Sequence, residues 1–334
     1  MRYLSYVVEP EKDGFLLESV LEHRLHISQA MMRRAKFHDE AILVDGEPAR
    51  LLSHVHTGQT VMVDVSDSWR ECEESDVCPQ PGDLSILYED DDLLILNKPA
   101  GIVVHPSPGH KQDTLGNYVL YYLQQKGTDC KLLYPVHRLD IGTTGILVFA
   151  KHAYARSRMQ DFMGTDVDPQ ALDILAQQPW SLDKSGLLGC DEVKEGVFKR
   201  TYLALCCGVF HEPRGTVDAP IRRITEFGLR REVHPDGKRA ITHYEVLRTI
   251  DNTMSLLALQ LVTGRTHQIR VHMEHLGHPL VGDELYESPL PLLNHPALHS
   301  WKLLATHPVT GALLELSAPL PEDVRALIDN RVSD

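Results

Sequence analysis

The sequence predicts an α+β protein in which a small N-terminal domain precedes a larger second domain. Three observations support this class. Residues 14–65 carry two helical patterns, LLESVLEHRLHI and SQAMMRRAKFHD, followed by the short strand patterns AILVDGEPAR and TVMVDV. Beyond them, LSILYED and DDLLILNKP read as two strands of a hairpin, and KRTYLALCCG reads as a further strand. Helical patterns between the later strands are few.

Local signals justify the elements of the N-terminal domain. Ser28 is the predicted N-cap of the second helix, because its hydroxyl can accept hydrogen bonds from first-turn amides. Asp45-Gly46 is a hairpin turn signal between two strands. The segment ECEESDVCPQPGD then suggests a linker. We place it at residues 79–84, between domains at 1–78 and 85–326.

Strand and helix patterns alternate along the second domain. The hairpin ends at Lys98-Pro99, and the tetrapeptide HRLD at 137–140 precedes a glycine-punctuated turn and the apolar strand ILVFAK. AKHAYARSRMQDFM reads as a helix, and another is expected over Gln268 to Leu276 with Gly277 as its C-cap. An acidic insertion at about 165–196 separates the first of these helices from KRTYLAL. It could be a surface decoration or a segment that contacts RNA or a protein.

Composition agrees with a cytoplasmic protein of more than one domain. A chain of 334 residues with 43% hydrophobic content can bury a large core and a smaller one. No signal-peptide pattern and no run of eighteen apolar residues is present, so no membrane segment is expected. The six cysteines lack zinc-site spacing and indicate reduced thiols.

The net charge of −14 is unusual for a protein that binds nucleic acid. Phosphate neutralisation normally requires a basic face. An acidic total still permits a local basic face, and we expect one where positive residues cluster. The cluster comprises Arg222, Arg223, Arg230, Arg231, Lys238 and Arg239, with Arg265 and Arg270 following.

Three ordered motifs carry a resemblance to a known family. They are NKPAGIVVHP at 97–106, YPVHRLDIGTTGILVFAK around HRLD, and LVTGRTHQIRVHMEHLGHPLVGD at 261–283. Together they resemble the RluA-type family of RNA pseudouridine synthases, over residues 85–321. The resemblance implies a pseudouridine synthase fold with a mixed, largely antiparallel central sheet. It also implies isomerisation of uridine in RNA, without cofactor or metal.

The N-terminal domain is similar to the S-four-type RNA-binding domain, a small α/β-type unit. Members usually carry Ser-Arg at the start of the second helix, whereas this chain has Ser28-Gln29. The implied partner is RNA, with large-subunit ribosomal RNA favoured and transfer RNA possible. No obligate protein partner is evident.

The resemblance also assigns site residues. Asp140 of HRLD matches the catalytic aspartate, which acts at the sugar as nucleophile or base. Desolvation in a cleft disfavours a charged carboxylate, so a fixed cation is expected beside it, and Arg265 matches the family arginine in that place. Tyr202 matches a tyrosine that can stack on uracil or carry a proton. Arg138 is associated with the flipped nucleotide. Further RNA-binding candidates are Lys98, His137, Arg270, Arg33, Arg34 and Lys36.

Two other functions stay open at this point. Ile141-Gly142 stands where family members commonly have a charged pair, which together with the acidic balance permits a non-catalytic RNA-binding or ribosome-assembly protein. A histidine cluster permits a metal-dependent hydrolase, although its spacing does not fit an HExxH helix. The cluster comprises His267, His272, His275 and His278.

Overall fold

The computed structural model describes residues 1–66, 77–106, 111–127, 134–164, 173, 176–177, 196–226 and 228–331. Most of the predicted insertion at 165–196 lies outside these residues, as does much of the linker segment. Within the described ranges, no helix is long and apolar enough to cross a membrane. Cys78, Cys206 and Cys207 are free thiols, and the other three cysteines lie outside the described residues.

The N-terminal unit is a four-stranded antiparallel sheet with two helices against it. The strand order is β1-β6-β3-β4, and β2 pairs separately with β5. The elements are β1 Tyr3–Val7, β2 Phe15–Leu16, α1 Leu17–His23, α2 Gln29–Ala35, β3 Ile42–Val44, β4 Glu47–Pro48, β5 His54–Val55 and β6 Thr60–Asp64.

Local predictions for this unit are confirmed. The Ser28 hydroxyl accepts a hydrogen bond from the Met31 amide at 3.2 Å and caps α2. Asp45 and Gly46 both have positive φ in the turn between β3 and β4, as a two-residue hairpin turn requires. Strand β1, which pairs with β6, was not predicted.

Asp92 joins the N-terminal unit to the second domain. The Arg2 guanidinium donates two hydrogen bonds to its carboxylate, at 2.9 and 2.7 Å, and Asp92 is buried. His152 Nε2 lies 2.9 Å from the same carboxylate, and its Nδ1 accepts from the Ala155 amide. His152 is thereby the N-cap of a helix over Ala153–Met163.

The second domain is built on a ten-stranded sheet. The strand order is β12-β15-β16-β11-β17-β10-β8-β7, with β18 added to β17 and β9 to β10. Separately, β13 and β14 form a two-stranded hairpin. The strands are β7 Ile86–Glu89, β8 Leu93–Lys98, β9 Tyr134–Pro135, β10 Thr144–Ala150, β11 Phe198–Cys207, β12 Arg214–Asp218, β13 Ile221–Arg223, β14 Arg231–Val233, β15 Ile241–Ile250, β16 Met254–Leu261, β17 Leu298–Thr306 and β18 Leu313–Ser317.

The central sheet is mixed and largely antiparallel, as predicted for this fold class. Its one parallel pair, β10 with β17, aligns Gly145 with Ser300. Gly145 has φ +100°, and a Cβ there would lie 2.2 Å from the Ser300 carbonyl oxygen. Only glycine fits at this close approach.

Buried layers cover both faces of the sheet. Strand β8 has both faces buried. Leu94 and Leu96 belong to the hydrophobic cluster that includes residues of the helices Leu115–Gln125 and Gln268–His275. Leu93 and Ile95 belong to the hydrophobic cluster that includes residues of the helix Ala153–Met163. Burial on both faces explains the continuous apolar run of this strand. The helices are α3 Leu115–Gln125, α4 Ala153–Met163, α5 Gln268–His275 and α6 Glu322–Asp329.

The elements predicted for this domain are confirmed, with small shifts at their ends. The β7–β8 hairpin ends at Lys98, and β11 contains Cys206 and Cys207. Helix α5 ends one residue earlier than predicted, and Gly277 follows it with φ +81°. The predicted linker at 79–84 lies between the last strand of the N-terminal sheet and the first strand of the central sheet. The exact domain limits stay predictions.

Candidate active site

A cleft of about 560 Å³ opens beside the HRLD turn. Its walls come from this turn, from α4, from the start of β11 and from the loop that leads into α5. Asp140 and Tyr202, predicted from separate motifs, both line it, as do Arg138, His137 and Arg265. The fold therefore brings most of the predicted site residues of the second domain into one cavity.

Asp140 is presented by a tight turn before β10. The Thr143 amide donates to the Asp140 carbonyl at 3.0 Å, and the Asp140 side chain is 25% exposed. Among the described residues, neither carboxylate oxygen makes a hydrogen bond within 3.5 Å. Gly142 packs against the Pro296 ring, which a Cβ would approach to 2.6 Å. This contact explains Gly142, while Ile141 is 48% exposed.

Arg270 supplies the cation nearest to Asp140. Its Nη1 lies 3.9 Å from Asp140 Oδ2, and its guanidinium binds Asp283 through two hydrogen bonds of 2.7 Å. Both Arg270 and Asp283 are buried. Its donors face carboxylates inside the protein, so the structure gives no support to the predicted contact of Arg270 with RNA.

Arg265 was predicted as the partner of Asp140, and the structure corrects this assignment. Its Nε donates to the Arg239 carbonyl at 3.1 Å, and its side chain is exposed at the cleft rim. The loop is fixed instead by buried Gln268, whose Oε1 accepts from the Arg265 amide and whose Nε2 donates to the Ile241 carbonyl. Arg265 is thus free to face a ligand.

Tyr202 lies in the buried wall of the cleft, 3% exposed. Burial raises the pKa of its phenol; the charge of Arg200 opposes this and that of Asp140 reinforces it. The Arg200 guanidinium carbon lies 5.8 Å from the Tyr202 ring centroid. A neutral phenol with its ring in the cleft can stack on a base and donate a hydrogen bond.

His137 lies in the wall of the cleft, and its assignment as an RNA-binding residue stays a prediction. It is buried, and Arg200 Nη1 lies 3.0 Å from its Nδ1. Burial lowers the pKa of His137 well below its usual value, and the charge of Arg200 adds to the effect. A neutral imidazole therefore holds Arg200 without adding charge.

Lys98 was predicted to bind RNA, and the structure encloses its ammonium among backbone carbonyls. It is 1% exposed, and its ammonium donates three hydrogen bonds of 2.9 Å to the carbonyls of Pro99, Ile141 and Thr143. Burial lowers the pKa of Lys98 to about 8, against the opposing charge of Asp140. All its donors are used, so Lys98 fixes the turn that carries Asp140.

We expect Lys98→Met to lower the free energy of unfolding by about 2–4 kcal/mol, because three buried carbonyls lose their donor while the cost of burying a charge disappears. Denaturant unfolding measures this change. Lys111→Met, at an exposed lysine, is the control and should shift stability by less than about 0.5 kcal/mol. Equal stability of both variants would contradict the bracing role of Lys98.

The cleft is strongly basic although the chain is acidic. Its lining includes four arginines, Arg138, Arg156, Arg200 and Arg265, and among the described lining residues Asp140 is the one acidic side chain. Within the described ranges, the guanidinium groups of Arg138 and Arg156 have no hydrogen bond or ion pair, and both residues are exposed. The positive charge therefore remains available for phosphate.

Arginines of the basic stretch at 222–239 are instead largely neutralised. Arg222 pairs with Glu232, Arg230 with Glu274 and Glu287, and Arg239 with Asp218 and Asp173. Of the residues predicted to form a local basic face, Arg265 lines the cleft, together with Arg138, Arg156 and Arg200, which were not in the predicted cluster.

The basic residues of the N-terminal unit, Arg33, Arg34 and Lys36, lie exposed at the end of α2. Arg33 Nε donates to the Gln29 carbonyl, and the Lys36 ammonium lies 4.8 Å from the Phe37 ring centroid. Their contact with RNA stays a prediction.

The histidines singled out for a metal site do not converge. Both ring nitrogens of His272 are hydrogen-bonded, to Thr242 and to the Ala219 carbonyl, and His278 bonds to the Cys207 carbonyl. In the described part of the chain, one group has metal-compatible donor spacing, namely Asp90, Asp92 and His307. Arg2 and His152 already occupy the Asp92 carboxylate in that group.

Comparison with known proteins decides the family. The family model described as RNA pseudouridylate synthase matches residues 92–275, which include Asp140, Tyr202 and Arg270. The chain belongs to this family. It is an RNA pseudouridine synthase, an isomerase of uridine in RNA, and not a non-catalytic binding protein or a metallohydrolase.

The relatives compared with this pseudouridine synthase match between 77% and 98% of its chain. It is 39% identical to "Uncharacterized RNA pseudouridine synthase YhcT" of Bacillus subtilis over 98% of its chain and 96% of that protein. It is 35% identical to "Ribosomal large subunit pseudouridine synthase D" of Pasteurella multocida over 77% of its chain and 73% of that protein. Human RNA Pseudouridylate Synthase Domain Containing 1 shares the fold, with a TM-score of 0.50, 22% identity and coverage of 76% and 98%.

Proposed function

We propose that this pseudouridine synthase modifies uridines of large-subunit ribosomal RNA and that Asp140 is the reacting carboxylate. The observation that carries the proposal is the position of Asp140 in a cleft whose other charged lining residues are arginines. Relatives named for large-subunit ribosomal RNA, at 35–36% identity, support the choice of RNA. An enzyme that modifies ribosomal RNA acts where ribosomes assemble, and this favours a cytoplasmic location for the enzyme.

The reaction breaks the bond between sugar C1′ and uracil N1, turns the uracil and joins C1′ to C5. The C5 hydrogen leaves as a proton and N1 gains one, so atoms balance without a cofactor. Asp140 acts at the sugar, as nucleophile at C1′ or as base, while the uracil is detached. Its carboxylate is suited to either role, because no internal hydrogen bond within 3.5 Å holds its oxygens among the described residues.

Two neighbours support this chemistry. Arg270, fixed by Asp283, keeps a positive charge 3.9 Å from Asp140 Oδ2 and can orient the carboxylate through this ion pair. Tyr202 offers a buried aromatic face and a neutral hydroxyl on which the detached uracil can turn.

The arginine rim suits a nucleotide extruded from folded RNA. A uridine within a helix must leave the stack before its sugar reaches Asp140. Arg138, two residues before Asp140, is exposed at the mouth and can fill the vacated space or bind phosphate. Arg156, Arg200 and Arg265 surround the cleft and can hold the flanking phosphates. Arg33, Arg34 and Lys36 would bind RNA further away, as part of an S-four-like N-terminal domain at 1–78.

Pseudouridine mapping tests the proposed substrate. Total RNA is mapped at single-nucleotide resolution from cells that lack this protein and from cells complemented with wild type or Asp140→Asn. We expect particular sites in large-subunit ribosomal RNA to disappear and to return only with wild type.

Each alternative result is informative. Loss of sites in transfer RNA alone would refute the ribosomal substrate and keep the role of Asp140. Restoration by Asp140→Asn would refute that role. If no site changes, purified enzyme is assayed on isolated ribosomal RNA, and lack of product there would reject the substrate.

A further inference from the structure

In this enzyme, His267 lies between Asp140 and the buried Tyr286. His267 precedes α5, lines the cleft and has a side chain that is 12% exposed. Its Nε2 lies 4.0 Å from Asp140 Oδ2, on the same oxygen that faces Arg270. Its Nδ1 lies 3.0 Å from the hydroxyl of Tyr286.

The backbone of His267 is strained in a way that points to function. Its φ and ψ are +59° and 18°, a left-handed conformation that costs a non-glycine residue about 1 kcal/mol or more. Its side chain makes no capping hydrogen bond to α5. His267 closes the turn into α5, in which the Gln268 amide donates to the Arg265 carbonyl at 3.1 Å, and its imidazole lines the cleft beside Asp140.

Hydrogen bonds at Tyr286 fix the tautomer of His267. The Tyr286 hydroxyl accepts from the Arg231 amide at 3.1 Å and is buried. Within the described ranges, Nδ1 of His267 is the acceptor that remains for the hydroxyl proton. The Tyr286 hydroxyl and His267 Nδ1 both have a hydrogen-bond partner when the hydroxyl donates to Nδ1. The imidazole proton then lies on Nε2, which faces Asp140.

The imidazole is neutral in this setting. Burial lowers the pKa of His267; the charge of Asp140 opposes this shift and that of Arg270 reinforces it. A neutral imidazole with its proton on Nε2 is a hydrogen-bond donor. At 4.0 Å the contact is long, but catalytic hydrogen bonds often shorten only when substrate is bound.

We propose that His267, oriented by Tyr286, is a positioning residue that donates from Nε2 to Asp140 Oδ2 once RNA fills the cleft. Together with Arg270 it holds one carboxylate oxygen and leaves the other for the sugar. This inference rests on the proposed role of Asp140 as the reacting carboxylate.

A glycine substitution separates positioning from structural support. His267→Gly removes the donor but relieves the left-handed backbone, because glycine adopts positive φ without penalty. We expect kcat to fall by about 10–100-fold with KM within about threefold, as for other groups that orient a reacting residue. The melting temperature should change little, because relief of the left-handed backbone offsets the hydrogen bond that Tyr286 loses.

Three further variants complete the test on full-length enzyme with an RNA substrate. His267→Gln retains a donor and should restore kcat to within about tenfold of wild type. Tyr286→Phe, which keeps the ring, should lower kcat by about 3–10-fold because the tautomer is no longer fixed. His275→Ala, at an exposed position on α5, is the control and should leave kcat unchanged.

Several outcomes would overturn the inference. A kcat of His267→Gly within twofold of wild type would make the histidine dispensable. A raised KM with unchanged kcat would make it an RNA-binding residue. An active Asp140→Asn enzyme would instead refute the proposed role of Asp140. Because this is a different variant, failure of the proposed function can be distinguished from failure of the inference about His267.

Discussion

Asp140→Asn is expected to abolish pseudouridine formation, with a rate loss of about 10⁴-fold or more, as for removal of an essential nucleophile. An amide is nearly the same size as a carboxylate but can neither add to the sugar nor act as a base. Release of tritium from C5 of uridine-labelled RNA measures the reaction directly, since the C5 hydrogen is lost.

The same variant should keep its fold and its affinity for RNA. The Asp140 side chain makes no hydrogen bond within 3.5 Å among the described residues, and its buried neighbour Arg270 keeps two hydrogen bonds to Asp283 when Asp140 is replaced. Asp39→Asn, at an exposed aspartate, serves as the matched control and should retain full activity. More than about 1% residual activity in Asp140→Asn would remove this residue from the chemistry.

Arg270→Met has the second large expected effect, and it concerns stability as well as activity. Asp283 is fully buried and accepts both of its close hydrogen bonds from Arg270. Removal of the arginine leaves an unpaired buried charge, which costs about 3–5 kcal/mol. Denaturant unfolding measures this loss, and activity should fall too because Asp140 loses its nearby cation.

A double-mutant cycle measures the interaction energy between Arg270 and Asp283. Arg270→Met with Asp283→Asn should be less destabilised than the sum of the single variants, because the unpaired charge is absent. It should stay poorly active, since Asp140 still lacks the cation. Arg331→Met breaks a half-exposed ion pair with Asp251 and is expected to cost less than about 1 kcal/mol. Additive losses in the cycle would argue against an energetic coupling of Arg270 with Asp283.

Local sequence signals predicted elements where one residue type has a specific backbone role. Ser28 as a cap, Asp45-Gly46 as a turn and Gly277 after α5 are examples. Strand β1 has no such signal, because it depends on pairing with β6, about sixty residues away. Strand order in the central sheet, including the parallel contact of β10 with β17, likewise depends on contacts distant in sequence.

The site was predictable in its motifs and less so in its side-chain contacts. Arg265 and Arg270 lie five residues apart in one motif, and only the fold shows that the second enters the protein beside Asp140. Lys98 reads as a solvated lysine because two of its three carbonyl partners, those of Ile141 and Thr143, lie over forty residues away. Arg156 and Arg200 carry no motif signal, and their role depends on α4 and β11 meeting at the cleft.

The contact of Arg2 with Asp92 gives the N-terminal unit a mechanical connection to the cleft. Asp92 also holds His152, the residue that starts α4, and the first turn of α4 carries Arg156 into the cleft wall. A displacement of the N-terminal unit by bound RNA would pull on the same carboxylate that anchors this helix. The buried Asp92 side chain would thus link the position of the N-terminal unit to the position of Arg156 in the cleft wall.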